Sequence, residues 1–164
     1  MQTVVDTKEF LNKLELVARV STKHATLPSL QCVLIVVENN KITLKATNLE
    51  VGIQAEIKTI KNEGEGLMAV PAQTLIQIIN LNNQPETTLQ YDEGVLTVES
   101  SGSETQVKCL PFEDFPSLPR VEGEGQVLNG KLFSLGIKTV AFAASQSSIK
   151  PELGSVCVLQ KKEH

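Results

Sequence analysis

"LMAVPAQTLIQIINL", residues 67–81, decides how the chain is organised. Its first four residues make a short apolar run of the kind that forms a buried strand. Pro71 follows, and a helix tolerates proline in its first turn. Ala72, Leu75, Ile76 and Ile79 then recur at helical spacing and form one apolar stripe. Three β-like runs come next, "TTLQYD" (87–92), "GVLTVES" (94–100) and "ETQVKCL" (104–110), with "EG" and "SSGS" at the turns.

The same order stands upstream. "QTVVDT" (2–7) is β-like, and "TKEFLNKLELVARVS" (7–21) places Phe10, Leu11, Leu14, Val17 and Ala18 on one helical face. Asp6 and Thr7 are both suited to cap that helix. Pro28 ends it by forcing the chain extended. "LQCVLIVV" (30–37), "KITLKATN" (41–48) and "EVGIQAEIKTI" (50–60) read as strands, with a turn at Asn39-Asn40. "NEGEG" (62–66) then breaks the pattern. Strand, helix and three strands therefore occur twice. This predicts an α+β domain in which two units share one continuous sheet surface, with two helices on one face.

A third unit starts and stops short. "GQVLNG" (125–130) is expected as a strand, "KLFSLGIKTVAFAAS" (131–145) as a helix and "GSVCVLQ" (154–160) as a strand. Between the double unit and this partial one lies "KCLPFEDFPSLPR" (108–120). Pro111, Pro116 and Pro119 exclude a helix interior or a central strand. Leu110, Phe112, Phe115 and Leu118 are expected to anchor it as an extended connector. The expected domains are 1–121 and 122–164.

Composition narrows the function. The 164 residues are 41% apolar, without tryptophan, so the core is aliphatic. A net charge of −4 argues against a generally basic nucleic-acid coat, though a local basic face is compatible with it. No apolar stretch is long enough for a membrane helix, and no leader pattern opens the chain, so a cytoplasmic protein is expected. Cys32, Cys109 and Cys157 lie in separate apolar runs, have no metal spacing, and are expected as buried thiols. The acidic pairs Glu113-Asp114 and Glu122 with Glu124 have no histidine or cysteine beside them. They read as solvated charge, with no metal or cofactor implied. "EGEGLM" and "EGEGQV" lack the lysine and length of a phosphate loop. No catalytic set is suggested.

The outward helix faces carry what remains. Lys8, Asn12 and Arg19 lie opposite the first stripe, with Lys23 just beyond and Glu15 among them. Gln73, Gln77 and Asn80 share a face of the second helix, and Lys131 and Lys138 a face of the third. Two readings stand: ordinary solvated surfaces, or a polar-to-basic surface facing a phosphate backbone.

Five segments together resemble the bacterial sliding clamp, the β subunit of DNA polymerase III. They are "ATLPSLQCVLI" (25–35), "ATNLEVGI" (46–53), "AVPAQTLIQII" (69–79), "LPFEDFPSLPR" (110–120) and "VAFAASQSSIKPELGSV" (140–156), in the family's order and spacing. The resemblance implies a clamp fold in which helices line a hole and sheets form the outside. It implies a first domain and the opening of the second, joined by the proline-flanked connector. It implies a non-catalytic processivity factor: a ring of two protomers around duplex DNA, bound without sequence preference, that tethers DNA polymerase III and is placed by a clamp loader.

Residue by residue, the resemblance implies DNA contact at His24 beside Lys23, at Gln73 and at Lys150. Lys8, Arg19 and Lys138 join them from the helix faces. It implies a subunit contact along the edge strand, at Ser103, Glu104, Thr105 and Val107, with Thr74, Gln77 and Ile78 of the second helix. Some relatives carry basic residues and a phenylalanine on that strand, where Glu104 and Thr105 stand here. The family's peptide pocket falls outside these residues. An alternative reading is a short protein-interaction module that caps a full-length clamp through its edge strand.

Overall fold

The structure, a computed structural model, describes residues 1–21, 27–100, 102–118, 123, 125–145 and 150–159. The chain divides into two compact units, Met1–Pro119 and Arg120–His164.

In the first unit, β1 (Gln2–Asp6) leads straight into α1 (Thr7–Val17). Asp6 is the cap: its carboxylate accepts a 2.7 Å hydrogen bond from the Glu9 N–H, satisfying one orphan donor of the first turn. Thr7, the other candidate, is buried and bonds the Thr87 hydroxyl at 2.8 Å. Phe10, Leu14 and Val17 are fully buried along one stripe. Each such side chain contributes roughly 1.5–3 kcal/mol.

Strands β2 (Cys32–Glu38), β3 (Lys41–Thr47) and β4 (Gly52–Lys58) follow. Asn39 and Asn40 both have positive φ, 48° and 58°, as a tight two-residue hairpin turn requires. The second half repeats the order with β6 (Gly66–Pro71), α2 (Ala72–Asn80), β7 (Glu86–Asp92), β8 (Val95–Ser100) and β9 (Ser103–Lys108). Pro71 closes β6 and stands just ahead of α2 rather than inside its first turn.

Two sheets form instead of one continuous surface. Their orders are β5-β1-β7-β8-β9 and β4-β3-β2-β6. The two halves exchange their first strands. β1 pairs with β7 of the second half, with Thr3 opposite Leu89, and β6 pairs with β2 of the first, with Val33 opposite Val70. The exchange puts a sheet boundary where simple repetition would have continued the ladder. The expected break at 62–66 also contains order, because β5 (Lys61–Glu63) pairs with β1, with Asn62 opposite Thr3. One main core joins the two halves of the first unit: Val5, Phe10 and Leu14, Val33 and Ile35, Leu75 and Ile79, Leu89, Leu96 and Val107 belong to a single buried cluster. Both helices therefore cover the inward faces of both sheets.

The connector links one sheet to the other. The Cys109 N–H donates to the Gly94 carbonyl on one side, and the Leu110 N–H to the Ala69 carbonyl of β6 on the other, both at 2.8 Å. A 3₁₀ turn at Phe112–Asp114 interrupts the expected extended path. Phe115 is buried against Cys32 and Ala69. Leu118 reaches β4, where any side chain at Gly52 would meet its Cδ2 at 2.6 Å. Phe112 is not an anchor: the 3₁₀ turn directs it outward and leaves it 41% exposed.

Cysteines follow the same partition. Cys32 and Cys109 are buried but belong to separate clusters, and burial pushes both thiols up to about 11. Cys157 is exposed, contrary to expectation.

In the second unit α3 (Gly130–Val140) is capped by Asn129, whose side-chain oxygen accepts from Lys131 and Leu132 N–H groups at 3.1 Å. The strands expected at 125–130 and 154–160 do not appear among the described residues. No residue of α3 is buried.

Candidate nucleic-acid and subunit interface

α1 exposes Lys8, Asn12, Glu15 and, in the 3₁₀ turn after it, Arg19. Residues 8 and 19 are eleven apart, about three helical turns, so the two cations sit near the two ends of one stripe. Glu15 divides them. α2 lies beside α1 and exposes Gln73, Gln77 and Asn80 on a face without charge. The ion pairs Lys41–Glu56 (3.1 Å) and Lys61–Glu63 (2.6 Å) are on the strands and do not engage Lys8 or Arg19. Lys23 and His24 lie outside the described residues. Lys138 on α3 and Lys150 are both exposed, in the second unit. The structure thus gathers Lys8, Arg19 and Gln73 on the helical side of the first unit.

The subunit candidates fall on a different surface. Thr74 and Gln77 are exposed and Ile78 half-buried on α2, which packs beside β9. Ser103, Glu104 and Thr105 are exposed on β9. Val107 is not available: its side chain is only 5% exposed and belongs to the core. The period-two alternation that makes it a strand residue also turns it inward.

β9 ends its sheet, so one side of its backbone is open. The bond from Cys109 N–H to Gly94 sets which residues face that side. In an antiparallel ladder, alternate residues bond the same neighbour. Ser103, Thr105 and Val107 therefore bond toward β8, while Glu104, Gln106 and Lys108 turn their N–H and C=O groups to the open edge. Beside them is a polar concavity of about 390 Å³ lined by Glu86, Thr88, Glu99, Ser100 and Glu104. Glu99 stands directly opposite Glu104. The part of Glu86 and Glu99 is not visible in local patterning, because only strand register brings these side chains to Glu104.

No cluster of metal-ligating side chains occurs among the described residues. Glu113 and Asp114 are exposed in the 3₁₀ turn. Among those residues, no helix is long and apolar enough to cross a membrane.

The fold has counterparts among known proteins. Residues 1–119 match the family described as DNA polymerase III beta subunit, N-terminal domain. The chain belongs to the DNA polymerase III beta subunit family. The beta sliding clamp of Pseudomonas putida is 31% identical over 155 residues, covering 92% of this chain and 41% of that protein. The crystal structure of the beta subunit from Pseudomonas aeruginosa superposes with a TM-score of 0.85 at 28% identity, over 93% of this chain and 42% of that one. The Bartonella birtlesii sliding clamp, bound to griselimycin, gives 0.83 at 32% identity, over 90% and 40%. The chain thus spans about two fifths of the length of the clamps it matches. The beta subunit family is a non-catalytic accessory to the polymerase.

Proposed function

We propose that this chain is the N-terminal portion of a DNA-encircling processivity clamp, non-catalytic and acting by topology. A closed ring holds a polymerase on duplex DNA without tight, sequence-specific contacts. Weak phosphate contacts suit that task because they permit sliding. The observation that carries the reading is the clamp-type domain in residues 1–119, with Lys8, Arg19 and Gln73 on its helical side. Lys23, His24, Lys138 and Lys150 complete the proposed DNA contacts, with residues 122–164 as the opening of a second domain. Full-length assembly as a two-protomer ring, with polymerase III and a clamp loader as partners, belongs to the same proposal, as does a cytoplasmic location.

Duplex binding at varied salt tests it. A few scattered cations on an acidic protein give weak binding, with a log–log salt slope of about −3 for some three phosphate contacts. Tight binding in high salt, or a clear preference for one sequence, would show a different kind of DNA protein.

The open edge of β9 favours a second reading, in which the chain binds a full-length clamp as an interaction module. Binding to a clamp without any salt-sensitive DNA affinity separates that reading from the first.

A further inference from the structure

We propose that the apolar face of α3 pairs with the same face of a second copy of this chain, the two helices crossing at Gly136. This contact lies wholly within the second unit and does not depend on the clamp reading.

α3 is amphipathic, yet its apolar side is left uncovered among the described residues. Successive helical residues are about 100° apart, which puts Leu132, Phe133, Gly136, Ile137 and Val140 on one side and Lys131 and Lys138 on the other. The apolar side borders a cavity of about 480 Å³ that Val158 and Leu159 also line. Leu128, Leu132, Phe133, Val140, Val158 and Leu159 stand 40–83% exposed there. A side chain of this size hides on the order of 100 Å² when buried, so the six offer roughly 350 Å² per copy. Interfaces are about 60% apolar, so such a contact belongs to about 600 Å² per partner and roughly 1,200 Å² for the pair. That is the lower end of specific complexes, and it sets the expected dissociation constant at on the order of 10–100 μM. Below that concentration the face is open and α3 amides exchange freely.

The lining favours a second copy over a foreign partner. It carries no charged side chain, and the oxygen of Asn129, its one amide, is taken by the α3 cap. A foreign partner would find no charge pattern to recognise, whereas a two-fold contact needs only a surface that complements itself. Gly136 provides the fit. Beyond the helix's own backbone and the two adjoining residues, no atom lies within 4 Å of where its Cβ would stand. The face therefore has a notch, ringed by Leu132, Phe133, Ile137 and Val140. Such a gap among large side chains takes a knob from a facing helix. Glycine also lets two backbones approach closely. Crossing at Gly136 closes both apolar faces at once and leaves Lys131 and Lys138 of each copy in water.

Sedimentation equilibrium of the 164-residue chain, from about 1 μM to about 1 mM, is the test, and the mass is expected to rise from one chain to two. Cys157 lines the cavity and is exposed, while Cys32 and Cys109 are buried, so Cys157 reports on the face. Its labelling by a maleimide is expected to slow by about fivefold or more across the same range. Leu132→Glu puts a charge into the contact and is expected to leave a single chain at every concentration. Gly136→Leu separates the contact from helix stability. Leucine is the better helix former, so helicity by circular dichroism rises, while its bulk fills the notch and association weakens by about tenfold or more. Lys131→Gln, on the far side, leaves association unchanged. A single-chain mass throughout overturns the proposal: slow labelling then shows a face covered within the chain, and fast labelling a face that stays open. A dimer that Leu132→Glu and Gly136→Leu leave intact is held by another surface and also overturns it. Duplex binding is followed in parallel. Its absence with the α3 dimer present counts against the clamp reading alone, and duplex binding by a strictly single chain counts against this dimer alone.

Discussion

Phe115 is the connector's buried foothold, seated on Cys32 and Ala69. Truncating a buried phenylalanine costs about 3–5 kcal/mol, so Phe115→Ala is expected to lower the urea midpoint of the first unit markedly. Glu113, two residues away and exposed, is the contrast: Glu113→Gln should leave the midpoint almost unmoved. If the carboxylate variant proves the more damaging, the connector has a role other than a joint. The sequence made four apolar residues here look equivalent, and three hold. Phe112 differs because the turn at Phe112–Asp114 rotates it outward, and neither proline spacing nor hydrophobicity encodes that rotation. The buried thiols make a second prediction. Their ordinary value is 9.0, and burial, with Cys109 adding to the effect at Cys32, holds both near 11 in the fold. The unfolded thiols ionise first as pH rises, so this contribution is intact below pH 9 and is lost between pH 9 and 11. The loss is about 1.4 kcal/mol per pH unit for each thiol. Melting curves of Cys32→Ala with Cys109→Ala should show a shallower alkaline decline than the parent chain.

Elements were legible where one physical signal decided them. The apolar spacing of Phe10, Leu14 and Val17 and the turn at Asn39-Asn40 each point to a single local conformation. The cap of α1 was ambiguous between Asp6 and Thr7 because both residue types accept from helix N–H groups. Tertiary structure resolves it by burying Thr7 on Thr87. Asp6→Ala should then cost about 0.5–2 kcal/mol, read from a thermal melt, while Asp6→Asn should cost less. The misses were strands whose existence depends on a distant neighbour. Polar β5 is ordered because β1 lies beside it, and apolar 155–159 forms no strand among the described residues. At the candidate site the same limit applies. Helix periodicity predicts that Lys8 and Arg19 share a face, but the acid pair Glu99–Glu104 becomes visible only with the register of β8 on β9.

At the level of the molecule, the first unit has a closed core and, among the described residues, the second does not. Val33, Ile35 and Val37 of β2 are at most 1% exposed, whereas no residue of α3 is buried and Leu132 and Leu135 are 67% and 62% exposed. Native-state hydrogen exchange should therefore find the amides of β2 slow, near the global limit, and those of α3 faster by orders of magnitude. Equal protection in both would mean that α3 is covered by something the isolated chain supplies in solution. The strand exchange between halves has a further consequence, for the order of events on the ribosome. β1 is made first, yet its main partner is β7, some eighty residues later, as the Thr7–Thr87 bond spans. At about 5–20 residues per second, the N-terminus waits roughly 4–16 s for the strand that receives it. During that interval β2, β3 and β4 can zip as a meander while β1 has only the three-residue β5 to pair with. A nascent chain released before β7 emerges would then carry a loose β1 and an unfinished helix α1, and the domain forms only when its second half arrives to take back the first strand.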